Sequence, residues 1–133
     1  MDAILQPLRK YADFQGRAGR EEYWTFFLLQ AVVIMTAMAA GWVFRALHLD
    51  LLAVLLGLAL DIVYLALLAP AVAVSFRRLH DSGRSAWWLL IALAPVLGWL
   101  ALLVLMLLEG TVGDNRYGPD PKHRGISDTA VFA

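Results

Sequence analysis

Cysteine is absent from this chain. That excludes disulfides, thiol nucleophiles and thiolate metal sites. Histidine occurs only three times, as His48, His80 and His123. One His beside one Asp (His80-Asp81) falls far short of a metal-ligand set, so neither a metal nor another cofactor is expected. Polar sequence is scarce as well. It amounts to 22 residues ahead of the first apolar run, six and nine between runs, and 25 after the last. No second soluble domain fits there, and 1–133 reads as a single domain.

What is present is apolar. Residues 23–44 and 86–108 contain no charge, and residues 51–76 contain one, Asp61. About 20 apolar residues at 1.5 Å each span a hydrocarbon core of roughly 30 Å. A 133-residue chain cannot bury three such helices in a soluble core, and helices apolar all round sit in protein or in lipid. The expected fold is therefore an all-α membrane protein, a bundle of three transmembrane helices followed by a turn-rich tail, 109–133. Acidic residues and length ahead of the first run argue for an uncleaved anchor over a signal peptide. In residues 1–15, Ile4, Leu5, Leu8 and Tyr11 fall at near-helical spacing, which fits either an interfacial N-terminal helix or a frayed end.

Orientation follows Lys and Arg near the helix ends. With three spans, the N-terminal segment and the second loop share a side and carry seven cations: Arg9, Lys10, Arg17, Arg20, Arg77, Arg78 and Arg84. The other side would carry Arg45, Arg116, Lys122 and Arg124. This predicts a cytoplasmic N-terminus and an outer C-terminus. Gly19-Arg-Glu-Glu-Tyr-Trp24 and Gly83-Arg-Ser-Ala-Trp-Trp88 echo each other in register. Both suit a chain entering a membrane: Arg reaches phosphate, and Tyr23, Trp24, Trp87 and Trp88 anchor at the interface.

Asp61 lies about 15 Å into the second run by helical rise. A carboxylate at that depth needs a partner or a proton, with Gln30 and Thr36 the neutral candidates, whereas a shallow lead-in over residues 51–60 would leave Asp61 near the interface. Ala53, Gly57 and Asp61 share a face of the second helix, as Ala37 and Gly41 do on the first, the small-residue spacing that lets helices approach. Pro70 and Pro95 each free a carbonyl one turn earlier and read as kinks. Glu22 is placed to pair with Arg77 or Arg78. The tail motif around Asn115, Arg116 and Tyr117 is rich in turn residues and reads as an ordered loop folded back on the helix ends.

Three blocks carry a resemblance: Phe14-x-Gly-Arg-x-x-Arg-x-Glu-Tyr-Trp24, Arg77-Arg-Leu-His-Asp-x-x-Arg-Ser-x-Trp-Trp88 and Gly110-Thr-x-Gly-x-Asn-Arg-Tyr-Gly-Pro-Asp-Pro121. In this order they resemble the DUF805 family of small bacterial inner-membrane proteins. The resemblance implies a multi-span protein of the bacterial plasma membrane and no particular reaction. Asp61 lies outside these blocks.

Three functions are open at this point. A non-enzymatic protein would bind anionic headgroups or a partner with Arg17, Arg20, Arg77, Arg78, His80, Asp81 and Arg84. A subunit of an oligomeric transporter or channel would place Asp61 on its path. An intramembrane enzyme would use His80 and Asp81 and needs further catalytic groups that the sequence does not offer, so no catalytic residue is assigned. The expected partners are membrane lipids, another copy of the chain or another membrane protein, and not nucleic acid.

Overall fold

The computed structural model describes residues 2–123, with the side chains of residues 2–5 outside the description. Arg124 and the tail beyond 123 also lie outside the described residues. Within them the chain is helical: α1 (Asp2–Arg9), α2 (Arg20–Ala46), α3 (Asp50–Asp81), a 3-10 helix (Ala86–Leu93) and α4 (Leu97–Leu107). α2 and α3 are long and apolar enough to cross a membrane. They pack as a pair, α1 packs on both, and the 3-10 helix and α4 pack on α3 and on each other.

α2 begins and α3 ends beyond the apolar runs, where Arg20, Glu22, Arg77, Arg78 and Asp81 are held by protein partners. Arg77–Asp81, expected in a loop, form the last turn and more of α3. The helix then stops in a Schellman arrangement: Gly83 N–H donates to His80 O and Arg84 N–H to Leu79 O. Gly83 adopts φ +72°, a conformation open to glycine.

The third run is not one helix, and this corrects the three-span expectation. It enters as the 3-10 helix, reverses at Pro95-Val96 and returns as α4. Proline supplies the break by removing a donor and blocking the preceding turn. Val96 sits at φ 66°, ψ −67°, the strained centre of a γ-turn closed by Leu97 N–H to Pro95 O at 2.8 Å. Gly98 allows the arms to meet: a β-carbon there would lie 1.8 Å from Ile91 O. Trp99 Nε1 staples the arms by donating to Ala92 O at 3.0 Å. At about 2 Å per residue for eight residues, and 1.5 Å for eleven, each arm is roughly 16 Å long, half a hydrocarbon core.

Pro70 has the opposite outcome, since α3 continues through it. The Ala66 carbonyl that Pro70 leaves without its helical donor accepts from the Tyr11 hydroxyl. Gln30 Nε2 reaches the neighbouring Leu67 O at 3.4 Å, so Gln30 serves the backbone around the kink rather than Asp61. Phe14 packs edge-on against Phe76, with centroids 5.3 Å apart. The N-terminal segment thus fastens α3 at two levels. α1 itself starts ahead of Pro7, earlier than that proline suggests, and Pro7 is buried.

Candidate functional site

Because the hairpin returns, the tail meets the N-terminal segment and the end of α3 on one face. Asp81, 3% exposed, is the centre. Its carboxylate accepts from Arg17 Nε at 3.0 Å on one oxygen and from Arg78 Nη1 at 2.6 Å on the other. Arg17, itself buried, also donates through Nη1 to Gly113 O and through Nη2 to Thr111 O, both at 2.6 Å. Thr111 closes back on the Asp81 carbonyl through its N–H at 2.9 Å and its hydroxyl at 3.2 Å. Gly110 packs on Asp81 so closely that a β-carbon would fall 2.0 Å from Oδ2.

Neighbouring arginines on α3 point about 100° apart and so serve different partners. Arg78 faces α4: Nε donates to Met106 O at 3.3 Å and Nη2 to Leu108 O. A cation there satisfies carbonyls left open at a helix C-terminus and complements its dipole. Arg20 adds to the same end, reaching Leu107 O at 3.4 Å and Glu109 Oε1 at 3.3 Å. Arg77 faces α2, where Nη1 lies 2.7 Å from Glu22 Oε1. Both are buried, yet none of Arg77's side-chain nitrogens has a hydrogen bond of good geometry, so proximity of charge rather than alignment joins this pair. Arg77 O accepts from Ala18 N–H at 3.0 Å, tying the segment before α2 to α3.

His80 faces a third direction. Its ring stacks on Tyr117 at 3.9 Å and 5°, its Nδ1 is 3.3 Å from Gly16 O, and Arg116 lies over the Tyr117 ring at 4.7 Å. Asn115 Nδ2 donates to His80 O at 3.0 Å and pairs with Gly118 in a tight turn. His80 and Asp81 therefore look apart and form no acid–base dyad. Among the described residues no group of three or more His, Cys, Asp or Glu could hold a metal.

The residues expected to meet lipid or a partner divide sharply. Arg17, Arg77, Arg78 and Asp81 are buried and engaged inside the protein rather than open at its surface. Arg84 is half-buried, and its guanidinium has no hydrogen-bond or ion-pair partner among the described residues. Tyr23 and Trp24 are half-buried and pack edge to face at 5.3 Å, whereas Trp87 and Trp88 are exposed. Asp61 is exposed on α3 with Ala53, Gly57 and Arg45 around an α2–α3 cleft of about 720 Å³. Neither Gln30 nor Thr36 bonds to Asp61.

Sequence reasoning missed Asp120, which is buried 3.8 Å from Arg17 and accepts from Gly113 N–H and Lys122 N–H. It also missed Glu109, shared by Arg20 and Lys122. Their signal was the acidic residues flanking the tail's glycines, which only the reversed hairpin brings to the arginines. Arg116, Lys122 and His123 consequently lie on the face of Arg17 and Arg84, not on the opposite one.

The sequence model described as "Protein of unknown function (DUF805)" matches residues 11–119. The chain belongs to the DUF805 family. It is 43% identical over 126 residues to the Escherichia coli K12 "Inner membrane protein YhaH", covering 92% of this chain and 98% of that one. "Inner membrane protein YhaI" of the same organism is 42% identical over 92% and 97%. "Uncharacterized protein YiiR" is 31% identical over 80% and 84%. No solved structure matches. The three blocks that resemble DUF805 are separate in sequence and meet here in one place, through Arg17, through Arg78 and Asp81, and through Thr111, Gly113 and Asn115.

Proposed function

We propose that this DUF805 protein is a non-enzymatic inner-membrane protein that holds anionic lipid headgroups of the cytoplasmic leaflet on one basic face. In this reading α2 and α3 cross the bilayer, the third run enters and leaves from the cytoplasmic side, and both the N-terminal segment and the tail are cytoplasmic. The observation that carries it is the gathering of charge. Arg45 lies at the far end of α2, while the described cations of the N-terminal segment, the α3 end and the tail all collect at the opposite end of the helix pair. Cytoplasmic flanks of membrane helices carry such an excess. The buried arginines build the face, and Arg84, Arg116 and Lys122 present charge at its surface, where each cation near an anionic leaflet contributes about 1 kcal/mol.

The test is lipid retention. Protein extracted from mixed phosphatidylglycerol and phosphatidylethanolamine membranes should retain phosphatidylglycerol preferentially. Arg84→Gln with Arg116→Gln should abolish the preference, whereas Arg45→Gln should leave it. Equal loss from both sets, or no preference in the unmodified protein, contradicts the proposal.

A further inference from the structure

A cleft of about 560 Å³ opens between the end of α3 and the 3-10 helix, beside the tail. Phe76, Leu89, Leu90 and Leu93 form its apolar walls, and Leu93 is 81% exposed, so those walls continue into the hairpin's outer surface. His80, Ser85 and Tyr117 supply the polar lining. The Tyr117 hydroxyl makes no hydrogen bond among the described residues, and its ring is held by the His80 stack and by Arg116. Ser85 Oγ accepts from Trp87 N–H at 3.4 Å and keeps its own proton to donate. Arg84 precedes Ser85 with an unpartnered guanidinium, and Arg116 uses only Nη2, on Gly83 O at 3.3 Å. The neighbouring carboxylates of Asp81 and Asp120 are turned to Arg17.

We infer that this cleft is a binding site for one anionic phospholipid, its acyl chain between α3 and the hairpin and its phosphate among Arg84, Ser85, Tyr117 and Arg116. The inference rests on the lipid reading above and adds a discrete, chain-dependent site to it. Charge and shape select the occupant. The apolar walls suit an acyl chain and offer nothing to a free anion, while the donors at the polar end suit phosphate, for which arginine's planar fork is matched. A surface that merely attracts anionic headgroups has no use for an apolar cleft next to Ser85 and Tyr117.

The experiment is native mass spectrometry of the full chain released from nanodiscs of phosphatidylglycerol and phosphatidylethanolamine. One phosphatidylglycerol per chain should survive release. Added lysophosphatidylglycerol, with a single chain, should displace it, and glycerol phosphate, with none, should not. Ala92 also lines the cleft, so Ala92→Leu, which narrows it without changing charge, should abolish the retained lipid, and Leu93→Ala, which opens it, should keep it. Arg84→Gln should weaken retention about fivefold, the loss of one cation contact. Retention untouched by Ala92→Leu but lost in Arg84→Gln would overturn the cleft while leaving the headgroup reading standing. Displacement by glycerol phosphate, or a lipid-free dimer filling the cleft with a second copy, would also overturn it. Retention unaffected by either variant would remove both readings.

Discussion

The two ends of the α2–α3 pair are built differently. At one end Arg17, Glu22, Arg77, Arg78, Asp81 and Asp120 are buried among themselves, and a β-carbon on Gly110 would strike Asp81 at 2.0 Å. At the other end Gly41 and Gly57 face open space, with nothing within 4 Å of a β-carbon, and the helices stand apart around a cleft of about 720 Å³. The small residues expected to bring the helices together line that cleft instead. Specificity of this fold thus resides in polar geometry at one end of the helix pair. Lipid tails are as apolar as leucine and provide no drive to close the other end.

Substitutions at the two ends should separate accordingly. Asp81→Asn leaves two buried arginines without their shared carboxylate, and removing one member of a buried ion pair costs about 3–5 kcal/mol. Denaturation in detergent should show that loss, with the tail newly open to protease; a loss under about 1 kcal/mol would mean Asp81 does not organise the face. Gly110→Ala forces a methyl group into the held carboxylate and should cost about 1–3 kcal/mol in the same assay. A neutral Gly110→Ala would show that the tail is not seated on Asp81.

Tyr11→Phe removes the donor to the Ala66 carbonyl and should destabilise by about 1–2 kcal/mol, because Pro70 leaves that helix carbonyl with no other donor. In a Pro70→Ala background, which restores the helical donor, that effect should largely vanish. A Tyr11→Phe effect of equal size in both backgrounds would disconnect the tyrosine from the proline. The smallest effect belongs to the open end. Gly57→Ala meets no neighbour and should be neutral to stabilising, by up to about 1 kcal/mol, as expected for glycine in a helix interior. A clear loss would show that α2 and α3 close on Gly57.

Residue pattern made the two long apolar helices legible, because length and absence of charge suffice for them. It also made the Glu22 contact with Arg77 accessible, since the two must share a membrane face whenever the first and second runs both cross. The third run was not legible by the same rule. Its length fits a full crossing, and what reverses it is local: Pro95 acting with Gly98, where the arms touch. Pro70 looks identical in sequence but leaves α3 continuous, because Tyr11, far away in the chain, satisfies the freed carbonyl. Proline position alone cannot distinguish these outcomes; the supply of donors in three dimensions decides. Reading that run as one helix put Arg116, Lys122 and the tail across from Arg17 and Arg84, and so hid Asp81 and the α4 carbonyls as the partners of Arg17 and Arg78.

Sidedness tests the reversal most directly. The chain has no cysteine, so single cysteines can be introduced at Gln15, His48, Ser82 and Val112 without a background. An impermeant maleimide applied to intact cells should label position 48 alone, and permeabilised cells should label 15, 82 and 112 as well. Position 112 should therefore always behave like 15 and 82. Labelling of 112 together with 48 in intact cells, with 15 and 82 still protected, would mean that the third run crosses the membrane and that the tail never meets Asp81.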